Sequence, residues 1–118
     1  MPHPFEPGDD LIFQIESGYG LLRILAIGGE GPASVWHLMA YEDFFPDVES
    51  AERALAQNVS LPVRRAHMAL TTRAFERTPV AKLGNRPLSN DELVEYRKWV
   101  ETNGEVSDRS ALLMLGIR

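Results

Sequence analysis

Histidines and carboxylates are the residues in this sequence whose chemistry could support catalysis or metal binding. The histidines His3, His37 and His67 are isolated, because none has a second histidine or a carboxylate at the i+4 spacing of a helical metal site. His37 and His67 could meet on adjacent strands near Glu42 or Asp43, an arrangement that suits acid–base chemistry. A histidine packed within a strand is the simpler interpretation. We therefore predict no catalytic residue and no metal site.

Cysteine and phosphate-binding motifs are also missing from the 118 residues. The lack of cysteine removes disulfides, thiolate metal sites and cysteine nucleophiles together. Glycines at 18–20 and 28–31 do not predict a phosphate cradle, because such a cradle leads from a strand into a helix and the second segment enters a predicted strand. Arg23 stands where a third glycine would complete the fingerprint. The sequence predicts no nucleotide and no other cofactor.

The segment 42–49 combines carboxylates with two adjacent aromatic rings. Its acidic residues lack the ordered oxygen ligands and the glycine of a calcium loop, so a helix-capping loop explains them without a cation. Phe44-Phe45-Pro46 lies among them, and either the rings fold inward or they form an apolar knob within an acidic rim. Such a knob is typical of a protein-binding surface. The candidate partner-binding residues are Glu42, Asp43, Phe44, Phe45, Asp47 and Glu49.

Charge is divided unevenly along the chain. Residues 1–60 hold ten acidic and two basic side chains, residues 61–118 hold ten basic and seven acidic ones, and the formal net charge is −5. We expect the basic stretch 64–86 to balance the acidic half, and the acidic half to favour a basic protein partner. A pI near 5.1 argues against nucleic-acid binding. Arginines around Phe75 keep an RNA-binding face as an alternative.

Alternating apolar residues predict a β-rich first half. Prolines give residues 1–9 the character of an extended lead-in. Strands are predicted at 11–15 and 19–27, joined by a tight turn at Ser17-Gly18, followed by a central strand at 33–41 with two apolar faces. Asp47 is expected to cap a short helix that ends by Asn58.

The second half mixes strand and helix signals. Residues 63–77 fit either structure, although Thr71-Thr72 favours a strand, and residues 79–87 predict a short strand and turn. Residues 108–115 fit a helix capped by Ser107-Asp108 or a buried strand.

A capping box provides the clearest local signal. Ser89 and Glu92 are spaced to satisfy each other's backbone N–H groups, with Leu88 and Leu93 as a hydrophobic staple. This pattern predicts a helix from Asn90 to Asn103, with Gly104 as its left-handed terminal residue.

These elements predict a single α+β domain over residues 1–118. Its curved, mostly antiparallel, barrel-like sheet should have about five strands, with two or three helices. The longest apolar run, Ala111 to Leu115, is far shorter than the about 20 residues that cross a bilayer. No secretory signal is visible at the N-terminus, so we expect a cytoplasmic protein with no membrane contact.

The segment 7–27 resembles the opening of a group of small bacterial immunity proteins. Pro7-Gly8-Asp9, a strand, and then Tyr19-Gly20-Leu21-Leu22-Arg23-Ile24-Leu25 carry the resemblance. Those proteins neutralise toxins delivered between competing cells, and the segment builds strands of their curved, barrel-like sheet. Leu22 stands where a small residue is often found, and nothing after Ile27 matches. The family's partner-binding residues therefore have no assigned counterparts in this chain.

The leading functional hypothesis is a non-enzymatic protein-binding module of the immunity type with a basic partner. One alternative is a small hydrolase, or a sugar- or nucleotide-processing enzyme, that uses carboxylates with His37 or His67 in a sheet cleft. Another is an RNA-binding barrel. A pocket that joins His37 to a carboxylate would favour the enzyme.

Overall fold

A five-stranded antiparallel sheet forms the centre of the fold. The computed structural model describes residues 5–57 and 61–117. The sheet is curled but open, with strand order β4-β3-β2-β1-β5 and β4 and β5 at its edges. The predicted α+β class with about five antiparallel strands is confirmed. The strands are β1 (Asp9–Ile15), β2 (Gly18–Gly28), β3 (Val35–Tyr41), β4 (Val63–Thr71) and β5 (Val80–Asn85).

Each face of the sheet carries its own apolar core. The first core includes Leu11, Phe13, Leu22, Ile24, Trp36 and Leu38. The second core, on the opposite face, includes Ile12, Leu21, Leu25, Met39, Tyr41 and Ala51. Successive residues of a strand point to opposite faces, so a sheet covered on both sides needs apolar residues at nearly every position. This explains the two apolar faces predicted for the central strand.

Helices cover both faces of the sheet in the described part of the chain. Ala51 of α1 and Tyr96 of α3 pack at the second core. Phe75 of α2 and Leu115 of α4 pack in the first core. The described residues thus form four α-helices, where two or three helices were expected. No helix among the described residues is long and apolar enough to cross a membrane. The α-helices are α1 (Val48–Ala56), α2 (Thr72–Glu76), α3 (Val94–Thr102) and α4 (Ala111–Leu115).

The first hairpin is confirmed, with its turn one residue earlier than predicted. Ile15 pairs with Gly18, so the turn residues are 16–17. Residues 1–4 of the predicted lead-in lie outside the described residues. Phe5 packs edge-on against Trp36 and Phe75, with ring centroids 6.3 and 5.8 Å apart. The end of the lead-in is therefore attached to the first core.

The segment 63–77, which fitted either a strand or a helix, contains one of each. β4 ends at Thr71, whose hydroxyl accepts a hydrogen bond from the Ala74 N–H and so caps α2. The favoured prediction of a strand throughout was wrong for 72–76. α1 is capped by Asp47 as predicted, and it ends at Ala56, while Asn58 lies outside the described residues.

The capping box of Ser89 and Glu92 is present, but its helix starts later than predicted. Residues 90–93 form a turn, and α3 begins at Val94. The left-handed terminal residue is Asn103, with φ 50°, rather than Gly104. The segment 108–115 ends in a helix, capped by Ser110 instead of Ser107-Asp108, and the left-handed Gly116 terminates it.

Candidate functional site

The acidic loop, defined as residues 42–49, is held against the hairpin by its backbone. Tyr19 and Phe45 exchange two hydrogen bonds of 2.8 Å between their N–H and C=O groups. Gly18 allows this approach, because a Cβ there would lie 2.5 Å from the Phe45 carbonyl oxygen. The loop is therefore positioned by the first hairpin as well as by the sequence that follows it.

The two rings of the acidic loop point in different directions. Phe45 is half-buried and packs against the second core, whereas Phe44 is 41% exposed. The carboxylates of Glu42, Asp43 and Glu49 are exposed and form no ion pair within residues 5–57 and 61–117. The alternatives of an inward ring and an apolar knob are thus both realised, one by each phenylalanine.

Asp47 links the acidic loop to α1. Its carboxylate accepts a hydrogen bond of 2.7 Å from the Ser50 N–H, and this backbone bond lowers the pKa of Asp47. The negative charge lies at the N-terminal end of α1, where the helix dipole favours it. The N-terminal end of α1 therefore adjoins the acidic loop, and its C-terminal half lines a cleft.

The cleft has a volume of about 490 Å³. α1 contributes Ala54 and Leu55, and Met39 and Ala66 supply further apolar wall. Its polar lining consists of one guanidinium, three carboxylates and three neutral groups, which are Arg86, Asp91, Glu92, Glu95, Tyr41, Gln57 and Ser89. A cleft of this size with a few converging polar groups is the usual form of a small-molecule site.

Arg23 is buried beside this cleft and carries a full set of partners. Only 1% of the residue is exposed. Its Nε donates to Glu92 at 2.6 Å, and its Nη1 donates to Asp10 and to the Gly8 carbonyl. Its Nη2 donates to the carbonyls of 86–87 and to Glu92. A buried charge is tolerated when it is paired and hydrogen-bonded in this way.

Asp10 joins Arg23 to a second guanidinium, that of Arg86. Arg86 donates to Asp10 through Nε at 2.6 Å and Nη2 at 2.8 Å, and Nη2 also donates to the Tyr41 hydroxyl at 3.1 Å. The hydrogen bond with Asp10 raises the pKa of Arg86 despite partial burial. Burial raises the pKa of Tyr41. Asp10 therefore fixes the position of Arg86 at the cleft.

Asp9 forms a third ion pair between the two halves of the chain. It is fully buried and lies 3.1 Å from Lys82 Nζ, and Asn85 donates to it at 2.8 Å. Burial alone would raise the pKa of Asp9, but the bonds from Asn85 and from the Glu6 N–H outweigh burial and lower it. With Asp10–Arg86, this pair agrees with the expected attraction between acidic and basic halves.

His37 and His67 meet as the sequence suggested. His37 Nδ1 lies 2.9 Å from His67 Nε2, and the two rings stack with centroids 5.2 Å apart. The rings of Tyr96 and Trp99 on α3 pack edge-on to His37 with centroids 4.7 and 4.6 Å away. The histidine pair is therefore covered by α3.

The histidine pair is tuned towards its neutral form. Burial, followed by the nearby His67, lowers the pKa of His37 to about 4. Burial also lowers the pKa of His67, against the opposing effect of Glu95. Neither histidine lines the cleft that holds the carboxylates. This cleft therefore does not join either histidine to a carboxylate, as the enzyme alternative would require.

Sequence reasoning missed the guanidinium cluster and the aromatic cover of the histidines. The register of the first hairpin contained a signal for the cluster, because a turn at 16–17 places Asp10 directly opposite Arg23. For the cover, the ring of Trp99 packs on His37, whereas the neighbouring Val100 is 53% exposed.

Comparison with protein-family models, with curated proteins and with solved structures finds no match to this chain. The function must therefore be argued from the geometry of the acidic loop and the cleft.

Proposed function

We propose that the protein is a non-enzymatic binding module whose acidic loop recognises a basic protein. The observation that carries this proposal is the exposed ring of Phe44 in a loop whose carboxylates Glu42, Asp43 and Glu49 form no ion pair in the described chain. An aromatic anchor within a charged rim is a common composition of protein-binding surfaces. The expected partner has a basic face with an apolar pocket.

The attachment of the loop supports this proposal. A backbone bond from the Glu42 N–H to the Pro62 carbonyl holds the chain before Phe44, and the bonds between Tyr19 and Phe45 hold it after Phe44. A surface that is already ordered loses less conformational freedom when it binds. The negative charges would accelerate encounter, and the ring of Phe44 would slow dissociation.

The immunity-type role and the cytoplasmic location expected from the sequence belong to the same proposal. An inhibitor of a basic toxin would use a surface of this charge and composition. The resemblance of the segment 7–27 supports this role, and the loop contacts that segment through Tyr19.

Binding kinetics with a partner recovered from the source cells test the proposal. Asp43→Asn should lower the association rate and weaken its salt dependence, because rim charges act mainly on encounter. Phe44→Ala should weaken binding by about 2 kcal/mol, mainly through faster dissociation. Glu101→Gln, which makes the same charge change at an exposed position of α3, should leave both rates unchanged.

Stability measurements separate binding from folding in this experiment. Phe44→Ala should leave the denaturation midpoint nearly unchanged, whereas Phe45→Ala should lower it because Phe45 packs on the second core. A recovered partner that binds Phe44→Ala and Asp43→Asn with wild-type rates would refute the acidic loop as the interface.

A further inference from the structure

The cleft presents hydrogen-bond donors that the protein itself does not use. Arg86 directs Nε and Nη2 to Asp10 and Tyr41, and its Nη1 has no partner among residues 5–57 and 61–117. Arg86 lines the cleft, and 43% of its side chain is exposed. A guanidinium fixed along one edge thus has two N–H groups left over.

Tyr41 adds a third donor beside Arg86. Tyr41 lines the cleft, although only 7% of the residue is exposed. The hydroxyl accepts a bond from Arg86, and its own proton has no acceptor in the described chain. A hydroxyl that receives a bond from a cation is a stronger donor in turn. These groups therefore provide a place for an acceptor from outside the protein.

The neighbouring carboxylates do not supply that acceptor. Asp10 is occupied by Arg23 and Arg86, and Glu92 is occupied by Arg23 and by the Ser89 N–H. Two guanidinium groups thus face two carboxylates in the buried cluster. A ligand with one negative charge that approaches Arg86 would therefore contact the unused Nη1 edge of its guanidinium and not an unpaired carboxylate of this cluster.

The remaining lining restricts the kind of acceptor. Met39, Leu55 and Leu61 form apolar wall, which suits a ligand with a hydrocarbon body. Asp91 and Glu95 also line the cleft and disfavour ligands with two or more negative charges. The combination fits a single carboxylate at the end of a small apolar group.

We propose that this cleft binds a small monocarboxylate with an apolar body, using Arg86 and Tyr41 as its carboxylate-binding groups. The site is separate from the acidic loop, and it gives the protein a small-molecule ligand in addition to the proposed protein partner.

Titration of the full chain with 4-methylpentanoate, followed by amide and arginine side-chain NMR resonances, tests the site. The shifts should include Leu55, Tyr41 and the Arg86 Nε–H. The neutral isostere 4-methylpentanamide should bind at least about 10-fold more weakly, because it lacks the charge that Arg86 recognises. Inorganic phosphate should bind more weakly than 4-methylpentanoate.

Two substitutions connect the binding to the proposed groups. Tyr41→Phe should weaken 4-methylpentanoate binding by about 5-fold or more, which corresponds to one lost hydrogen bond. Tyr19→Phe removes the same atom from a tyrosine outside the cleft and should leave the affinity unchanged. Ala66→Leu should block binding by filling the cleft, which keeps the test decisive if Tyr41→Phe fails to fold.

Three outcomes would overturn the proposal. They are equal affinity for the acid and the amide, equal affinity for phosphate and the acid, and the absence of cleft shifts at about 10 mM acid, where even weak fragment binding is detected.

Discussion

His37 and Arg23 illustrate two ways of burying a basic side chain. Arg23 is buried within ion pairs and hydrogen bonds, in which two carboxylates and three backbone carbonyls accept its N–H groups. Among the described residues, the His37 side chain has only the ring of His67 as a hydrogen-bond partner and is covered by aromatic rings, so burial favours its neutral form. Substitution of Arg23 should therefore lower stability by leaving buried acceptors unpaired, whereas substitution of His37 should change how stability depends on pH.

Arg23→Met should lower the free energy of unfolding by about 3 to 5 kcal/mol. The substitution leaves Glu92 without its buried cation and leaves the carbonyls of Gly8 and Pro87 without that donor. Urea denaturation of the wild type and the variant measures the difference. Arg97→Met, at an exposed position of α3, should change stability by less than about 0.5 kcal/mol. Equal effects of the two substitutions would contradict the role of the buried cluster.

His37 should make the protein less stable in mild acid. Its pKa is about 4 in the folded protein and near the ordinary value of 6.5 in the unfolded chain. Below pH 6.5 the unfolded chain binds a proton that the folded protein does not, so stability is complete above this pH and falls as pH drops towards 4. Between pH 7 and pH 5 this contribution is about 2 kcal/mol.

Denaturation of His37→Gln at both pH values isolates this contribution. Glutamine cannot titrate, so the variant should lose about 2 kcal/mol less than the wild type when the pH is lowered, whatever its stability at pH 7. Most carboxylates stay ionised above pH 5, which keeps them out of the comparison. The same pH dependence in both proteins would show that His37 is protonated in the fold.

At the scale of elements, a bulge between β3 and β4 positions residues of the cleft and of the histidine pair. Between the pairs Leu38↔Met68 and Ala40↔Arg65, Met39 faces two residues of β4, which are Ala66 and His67. Such a bulge changes the direction of side chains on its strand. It supplies one wall residue of the cleft and one member of the histidine pair.

The Ser89 capping box should be less important than the ion pair that shares its glutamate. Ser89 Oγ accepts a bond from the Glu92 N–H at the surface, so Ser89→Ala should cost about 1 kcal/mol. Glu92→Ala should cost more, because it also removes a carboxylate from buried Arg23. Chemical denaturation of both variants gives the order. An unchanged midpoint for Ser89→Ala would show that the box does not stabilise the start of α3.

At the scale of the whole molecule, the basic side chains of segment 64–86 already bind other groups of the protein. Each of the six basic residues of this segment has a partner. Lys82 and Arg86 pair with the acidic half, but the other four bind residues 108–115, so the expected balance between halves is only part of the arrangement. Those four are Arg64, Arg65, Arg73 and Arg77.

This arrangement predicts weak nucleic-acid binding. Fluorescence anisotropy with labelled single-stranded RNA and duplex DNA at physiological salt should give no dissociation constant below the non-specific range of about 10⁻⁴ to 10⁻⁶ M. The physical reason is that arginines bound to the protein's own carbonyls and carboxylates release fewer counterions from phosphate. Submicromolar binding with a steep salt dependence would restore the RNA-binding alternative.

Features that depend on neighbours along the chain could be predicted from the sequence. Alternation of apolar residues predicted the first and central strands, which form at Asp9–Ile15 and Val35–Tyr41, and local hydrogen-bonding geometry predicted the Asp47 cap and the Ser89 capping box. The central strand starts two residues later than predicted because Gly31–Ala33 form a 3-10 helix. The composition of the acidic loop was also readable. Which of its two rings is exposed was not, because that depends on the pairing of Phe45 with Tyr19.

The way in which distant residues combine could not be predicted from local patterns, because it depends on the folded chain. Asp10, Arg23 and Arg86 come from three strands or loops, and their cluster depends on β1 lying between β2 and β5. The same holds for the histidine pair, whose neutral state results from burial under Trp99. Short-range patterns fix which elements form, but strand order and helix orientation follow from burying both sheet faces at once, and that requirement is a property of the whole chain.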